Sequence, residues 1–295
     1  MKQLISQKLI KWMKKGDYRN INNCNIFTID EGDKKLPVVV LIHGYPTSSV
    51  DFVKIWGALR KHYRLVTIDM LGFGFSDKPN NRDYTIHKQA DLFDSLFSQL
   101  EVKEYHLLAH DYGDTVAQEL LARQLDKTAK TKCLSCCLLN GGLFPETHRA
   151  LIFQKLMLSR FGFIFNKLLN FKAFSKTFSS VFGKSSQPSN QELIDYWEVI
   201  NFNNGKHLFH NLITYMHDRI THRERWVNAL QNSGMPIALI NGSQDPISGS
   251  HLVARYQELN CRLDYLKQLD HVGHYPHTED SSNVSMHYTR FLNSL

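Results

Sequence analysis

His106-Leu107-Leu108-Ala109-His110-Asp111-Tyr112-Gly113-Asp114-Thr115-Val116-Ala117-Gln118-Glu119-Leu120-Leu121 is the stretch on which the fold turns. An apolar run leads into it and a helix-forming run leads out, so strand, sharp turn and helix follow one another. Ala109 and Gly113 stand two residues either side of Asp111, where a bulky side chain would collide with neighbouring strands. A small-x-nucleophile-x-small pattern puts its central side chain at the tip of the turn, so Asp111 is the group it presents. A carboxylate there is ionised near neutral pH and needs no base to become nucleophilic. The alternative role for Asp111 is a structural or general-base carboxylate.

Outward from the turn, strand and helix signals alternate. Strands are expected at Asn25 to Asp30, Pro37 to His43, Tyr63 to Asp69 and Lys132 to Leu139, with helices at Val50 to His62 and Thr85 to Leu100. This alternation indicates an α/β fold with a mostly parallel central sheet flanked by helices. The rhythm breaks after Asn140-Gly141-Gly142 and resumes at Pro236, with a helix at His251 to Asn260 and a strand near Leu263 to Leu266. A discontinuous core, 1–142 and 233–295, is therefore expected around an inserted helical cap, 143–232. Residues 143–182 hold nine of the chain's 18 Phe, at 144, 153, 161, 163, 165, 171, 174, 178 and 182. That composition suits a helical hairpin with its own core and equally a lid over an apolar cleft.

At 295 residues, with 42% hydrophobic and 21% charged content, the chain can bury a full core. The net charge of +7 is scattered, and no motif supports nucleic-acid binding. Five cysteines form no evident disulfide framework, and Cys133-Leu134-Ser135-Cys136 lies in an apolar run that reads as a buried strand. This balance, without a signal peptide or a transmembrane stretch, points to a reducing, cytoplasmic setting. Residues 1–15 combine five Lys with Leu4, Ile5, Leu9, Trp12 and Met13. As an amphipathic helix they would either pack on the body or touch an anionic membrane surface. Oligomeric state is not legible.

Four segments fall at the ends of expected strands, where open α/β sheets place ligand sites. His43-Gly44-Tyr45-Pro46 can aim the Tyr45 N–H into a cleft, and with the Tyr112 N–H it would make a two-donor oxyanion hole. The elbow is the second. Asn241-Gly242-Ser243-Gln244-Asp245-Pro246 and Asp270-His271-Val272-Gly273-His274-Tyr275-Pro276-His277 are the others. Asp111, Asp245 and His274 occur in nucleophile-acid-histidine order. Three histidines in one loop, His271, His274 and His277, make a poor zinc signature, so no metal and no cofactor are expected. His274, after Gly273 and five residues before Glu279, is the base; the other two are expected to bond locally or face solvent. Asp114 adds a carboxylate in the first turn of the elbow helix, where the helix N-terminus favours negative charge.

The chain resembles α/β-hydrolases of the haloalkane dehalogenase and epoxide hydrolase group over nearly its whole length. The resemblance rests on DMLGFGFSDKP (Asp69 to Pro79), AHDYGDTVAQELLAR (Ala109 to Arg123), LNGGLFPETHR (Leu139 to Arg149) and Arg225-Trp226-Val227. It implies an α/β-hydrolase fold in which Asp111 forms a covalent alkyl-enzyme ester and His274, oriented by Asp245, activates water against it. The dehalogenases of this group hold halide with an indole directly after the nucleophile, and many carry Asn after the His-Gly pair. This chain has Tyr112 and Tyr45 there. Epoxide hydrolases protonate the epoxide oxygen with two cap tyrosines; Tyr196 and Tyr215 are the tyrosines within 143–232. Phe144, at the start of the cap, is a further expected substrate contact. The leading expectation is an epoxide hydrolase-like enzyme acting with water on a hydrophobic small molecule. The alternatives are a dehalogenase-like or other ester or ether hydrolase, and a non-catalytic membrane-peripheral or partner-binding protein on the same fold.

Overall fold

The computed structural model describes residues 5–159 and 161–295, so Met1 to Leu4 of the basic N-terminal segment lie outside it, as do the side chains of Phe153 and Phe165. Eight strands form one sheet: β1 (Asp17–Ile21), β2 (Cys24–Glu31), β3 (Val38–Ile42), β4 (Arg64–Ile68), β5 (Glu104–His110), β6 (Lys132–Leu139), β7 (Ile237–Gly242) and β8 (Tyr265–Leu269). Their spatial order is β1-β2-β4-β3-β5-β6-β7-β8. The pairs from β4 to β8 are parallel, and the two involving β2 are antiparallel.

Alternation along the strands sorts side chains to two cores. Val40 and Ile42 face one cluster with Phe93 and Leu96 of helix Ile86–Gln99. Val39 and Leu41 face the other, with Trp56 of helix Val53–Leu59 and Tyr288 of helix Ser281–Leu292. The N-terminal helix, Gln7–Met13, joins this second cluster with Leu9 and Trp12 buried. The Trp12 ring meets Trp56 edge-on at 5.0 Å, and its indole N–H donates to Ser49 Oγ at 3.0 Å. Of the two arrangements expected for this helix, its buried residues Leu9 and Trp12 take the one that packs on the body.

Two edges differ from expectation. β1 is absent from the sequence reading because Asp17-Tyr18-Arg19-Asn20-Ile21 is mostly exposed and shows no apolar alternation. It is held by a hairpin whose turn residues, Asn22 and Asn23, take φ of 54° and 61°, as a two-residue turn matching strand twist demands. β8 starts at Tyr265 rather than Leu263; it too is an edge strand, only partly buried. Between β6 and β7 the described residues form helices and no strand. Helix Arg223–Asn232 returns this insertion to the core by packing on the elbow helix, Tyr112–Leu125. Buried Glu119 accepts there from Arg225 Nε (2.9 Å), Trp226 Nε1 (2.9 Å) and Arg123 Nε (3.0 Å).

Candidate active site

Asp111 directly follows β5 and takes the N-cap position of the elbow helix with φ 48° and ψ −105°. A non-glycine residue at such φ costs of the order of 1–3 kcal/mol and persists only where its surroundings dictate it. Here they do. A Cβ on Gly113 would lie 2.3 Å from the Ile42 carbonyl oxygen, so the helix can start this close to β3 only with glycine. The Asp111 N–H is tied to the Leu139 carbonyl at 3.2 Å. The carboxylate is thereby thrust off the sheet's carboxyl edge, and its Oδ2 accepts from the Tyr45 N–H at 3.1 Å. Tyr112 is the first residue of the helix, where an N–H has no carbonyl within the helix to bond. Its ring is buried against Phe73 and Tyr215, at 5.3 and 4.9 Å between centroids.

The loops after β7 and β8 bring the other two expected residues to the same place. His274 Nδ1 lies 2.7 Å from Asp245 Oδ2, and its Nε2 lies 4.0 Å from Asp111 Oδ1. Asp245 is itself fixed by the Ser248 hydroxyl (2.8 Å), Asn140 Nδ2 (3.0 Å) and the Ile247 N–H (2.8 Å). Backbone bonds hold His274 on both sides: its N–H donates to the Val181 carbonyl of the insertion (2.8 Å), and its carbonyl accepts from His110 Nε2 (2.7 Å). Burial alone would push the His274 imidazole down. The charge and hydrogen bond of Asp245, joined by the charge of Asp111, outweigh it and lift the group to about 9. Burial likewise works against an ionised Asp111, yet His274 and Arg219 hold its carboxyl below the usual range. The mutual charges thus favour a carboxylate–imidazolium–carboxylate array in the resting site.

Arg219 is a residue that sequence reading missed. It comes from helix Tyr215–Thr221 of the insertion and is 2% exposed. Its Nη2 lies 3.7 Å from Asp111 Oδ1 and donates to the Asp111 carbonyl at 3.3 Å, while Nε donates to Thr115 Oγ1 at 2.8 Å. The guanidinium stacks 4.4 Å over the Tyr215 ring. No local signal marks it, because the elbow residues it bonds to, Thr115 and Asp111, lie more than a hundred residues away. Asp114 also departs from its simple reading: burial, reinforced by the Asp111 charge, pushes its carboxyl well up, against the pull of the helix N-terminus.

The three loop histidines separate. His271 is exposed and bonds to Asp280 Oδ2 at 3.2 Å. His277, expected to bond locally or meet solvent, is instead fully buried beside Phe52 and His110, and burial drives its imidazole well down. Asp51, His110 and His277 bring one ligand-type atom each within 4.8 Å, the one such group found among the described residues. All five cysteines are buried and free.

Tyr215 is buried with its hydroxyl unpartnered, and its ring lies 6.0 Å from Tyr45 and 4.9 Å from Tyr112. The Tyr196 hydroxyl pairs with Thr278 Oγ1 at 3.4 Å, and Phe144 packs on Tyr256 in the core. None of the three expected substrate contacts, Tyr215 included, lines the cavity beside Asp111. Long-range packing decided this. That cavity, about 70 Å³, is lined by Tyr45, Asp111 and His274 on one side and by Leu151, Phe174 and Phe178 among the insertion's residues on the other.

Residues 37–281 match the model of the alpha/beta hydrolase fold family. The chain is 40% identical to the mesoderm-specific transcript protein of Mus musculus across 98% of its length and 89% of that protein. It is 32% identical to the putative hydrolase LipZ of Mycobacterium tuberculosis, covering 85% of this chain and 86% of that one. A haloalkane dehalogenase loop variant from Bradyrhizobium elkanii superimposes with a TM-score of 0.79 at 19% identity, over 95% of this chain and 96% of the other, a likeness of fold. No helix among the described residues is long and apolar enough to cross a membrane.

Proposed function

Because this chain belongs to the alpha/beta hydrolase family, and is a hydrolase, we propose that it works through Asp111 as a covalent nucleophile on a hydrophobic small molecule, with an epoxide as the best-fitting class. One observation carries the reading: a buried carboxylate on a strained elbow, with an N–H on one oxygen and the His274 imidazole Nε2 4.0 Å from the other. Asp111 Oδ1 attacks a ring carbon and the carbon–oxygen bond of the epoxide breaks. The leaving alkoxide takes a proton from the His274 imidazolium, directly or through the Tyr215 hydroxyl. Esterification removes the Asp111 charge, and with it part of what keeps His274 protonated, so the proton leaves when a base is needed. Neutral His274 then takes a proton from water as the water attacks the ester carbonyl. The oxyanion forms against the Tyr45 and Tyr112 N–H groups, each such donor being worth about 3–4 kcal/mol. Collapse releases a diol and restores the array with one water oxygen in Asp111.

The apolar lining, with Leu151, Leu169, Phe174, Phe178, Val181 and Ile247, supports a hydrophobic substrate. The dehalogenase alternative is less well supported, since the residue after the nucleophile is a core-packed tyrosine without an indole N–H. Turnover of an accepted epoxide in ¹⁸O-water, followed by mass spectrometry of the Asp111 peptide, is expected to show label in that side chain. An unlabelled peptide after multiple turnovers, or full activity in Asp111→Asn, removes the covalent step.

A further inference from the structure

Two short helices of the insertion, Ile152–Leu158 and Gly162–Leu168, pack together and divide their side chains between two environments. Inward, Gln154 lines the cavity with its neighbour Leu151, and Met157 is buried. Outward, Ile152 (79% exposed), Leu156 (39%), Phe163 (49%), Ile164 (42%) and Leu168 (66%) face away from the protein. Single apolar residues on a surface need no explanation, but five on one helix pair make a patch that marks an interaction site. Ile152 and Leu156 stand one turn apart, as do Ile164 and Leu168, so each helix presents a stripe.

The segment that carries the patch has charge of one sign. From Thr147 to Gln191 the chain has no Asp or Glu, while it carries Arg149, Lys155, Arg160, Lys167, Lys172, Lys176 and Lys184. Lys155 and Lys167 lie within the two helices and are exposed beside the apolar side chains. A partner must therefore accept inserted apolar groups and carry negative charge over a broad area. An anionic bilayer does both: aliphatic and aromatic side chains enter the headgroup–acyl boundary, and lysines stay at headgroup level.

We infer that this face of the cap docks on an anionic membrane surface. Docking would lay the bilayer on the outer side of the helices whose inner side closes the cavity, shortening the path of an apolar ligand from lipid to Asp111. The inference concerns binding and stands whether or not the Asp111 chemistry is right.

Co-sedimentation of the full chain with phosphatidylcholine vesicles, with and without phosphatidylserine, tests it. Binding is expected to the phosphatidylserine vesicles, weakening as salt rises. Lys155→Glu/Lys167→Glu and Ile152→Ser/Leu168→Ser should each lower the partition coefficient about tenfold or more. Both pairs are exposed, so thermal unfolding should match wild type. Lys11→Gln/Lys14→Gln, on the N-terminal helix, should leave binding as it was. The inference is overturned by equal sedimentation of wild type and the cap variants, or by no binding to either vesicle. It is also overturned by light scattering that shows a dimer abolished by Ile152→Ser/Leu168→Ser, which would make the patch a self-association surface.

Discussion

Replacing Asp111 by Asn removes a charge while keeping the side chain's shape, and its effect on His274 follows from the geometry. The Nε2–Oδ1 separation is 4.0 Å. Two unit charges at that distance interact by about 4 kcal/mol at an effective dielectric of about 20, or roughly three pH units in a titration midpoint. The adjoining cavity admits water and weakens the field, so about half should be realised. His274 is lifted to about 9 in the resting protein, and in Asp111→Asn its midpoint should fall to between about 7 and 8. Imidazole titration by NMR in ¹⁵N-histidine-labelled protein measures this without a substrate. Asp245→Asn should lower the midpoint further, because Asp245 contributes more to the lift than Asp111 does. A midpoint unchanged in Asp111→Asn, in protein with wild-type circular dichroism, would refute the idea that esterification turns His274 from an acid into a base.

Two other outcomes follow from the same array. Arg219→Met removes one of the two cations beside the buried Asp111 carboxylate and leaves only His274; breaking a buried pair typically costs up to about 3–5 kcal/mol, thermal or urea unfolding should show that loss, and a change below about 1 kcal/mol would deny the pair its role. Arg219→Lys should fall between, since an ammonium keeps the charge but not the fork that reaches Thr115 and the Asp111 carbonyl together. His274 has a raised folded-state midpoint, so its contribution to stability is complete below its ordinary value of 6.5 and is lost as pH rises through about 9. Across that window the Tm of wild type should fall more than that of Asp245→Asn, and parallel curves would contradict the assignment.

Much of the fold was legible because its signals are local. The strand–turn–helix around Asp111 is written in side-chain size, apolar run and helix propensity within a few residues, and its elbow φ follows from the close approach that Gly113 permits. The buried central strands announce themselves as apolar runs. Edge strands β1 and β8 were missed or displaced because a half-exposed strand is specified by its neighbour's hydrogen bonds more than by its own residues.

The sequence by itself determined which group stands at the elbow, the order of Asp111, Asp245 and His274, and the break of rhythm at which the helical insertion interrupts the strands. Each depends on residues adjacent in the chain or on strand ends that a parallel sheet brings to one edge. Tertiary structure alone decided that Arg219 meets Asp111, that burial pushes the Asp114 carboxyl up, that His277 is buried beside His110, and that Tyr215 rather than Tyr196 packs on the ring of Tyr112 beside Asp111. Those depend on where a helical insertion lands across more than a hundred residues of chain, and on the dielectric it creates by excluding water. Spacing carries no record of either.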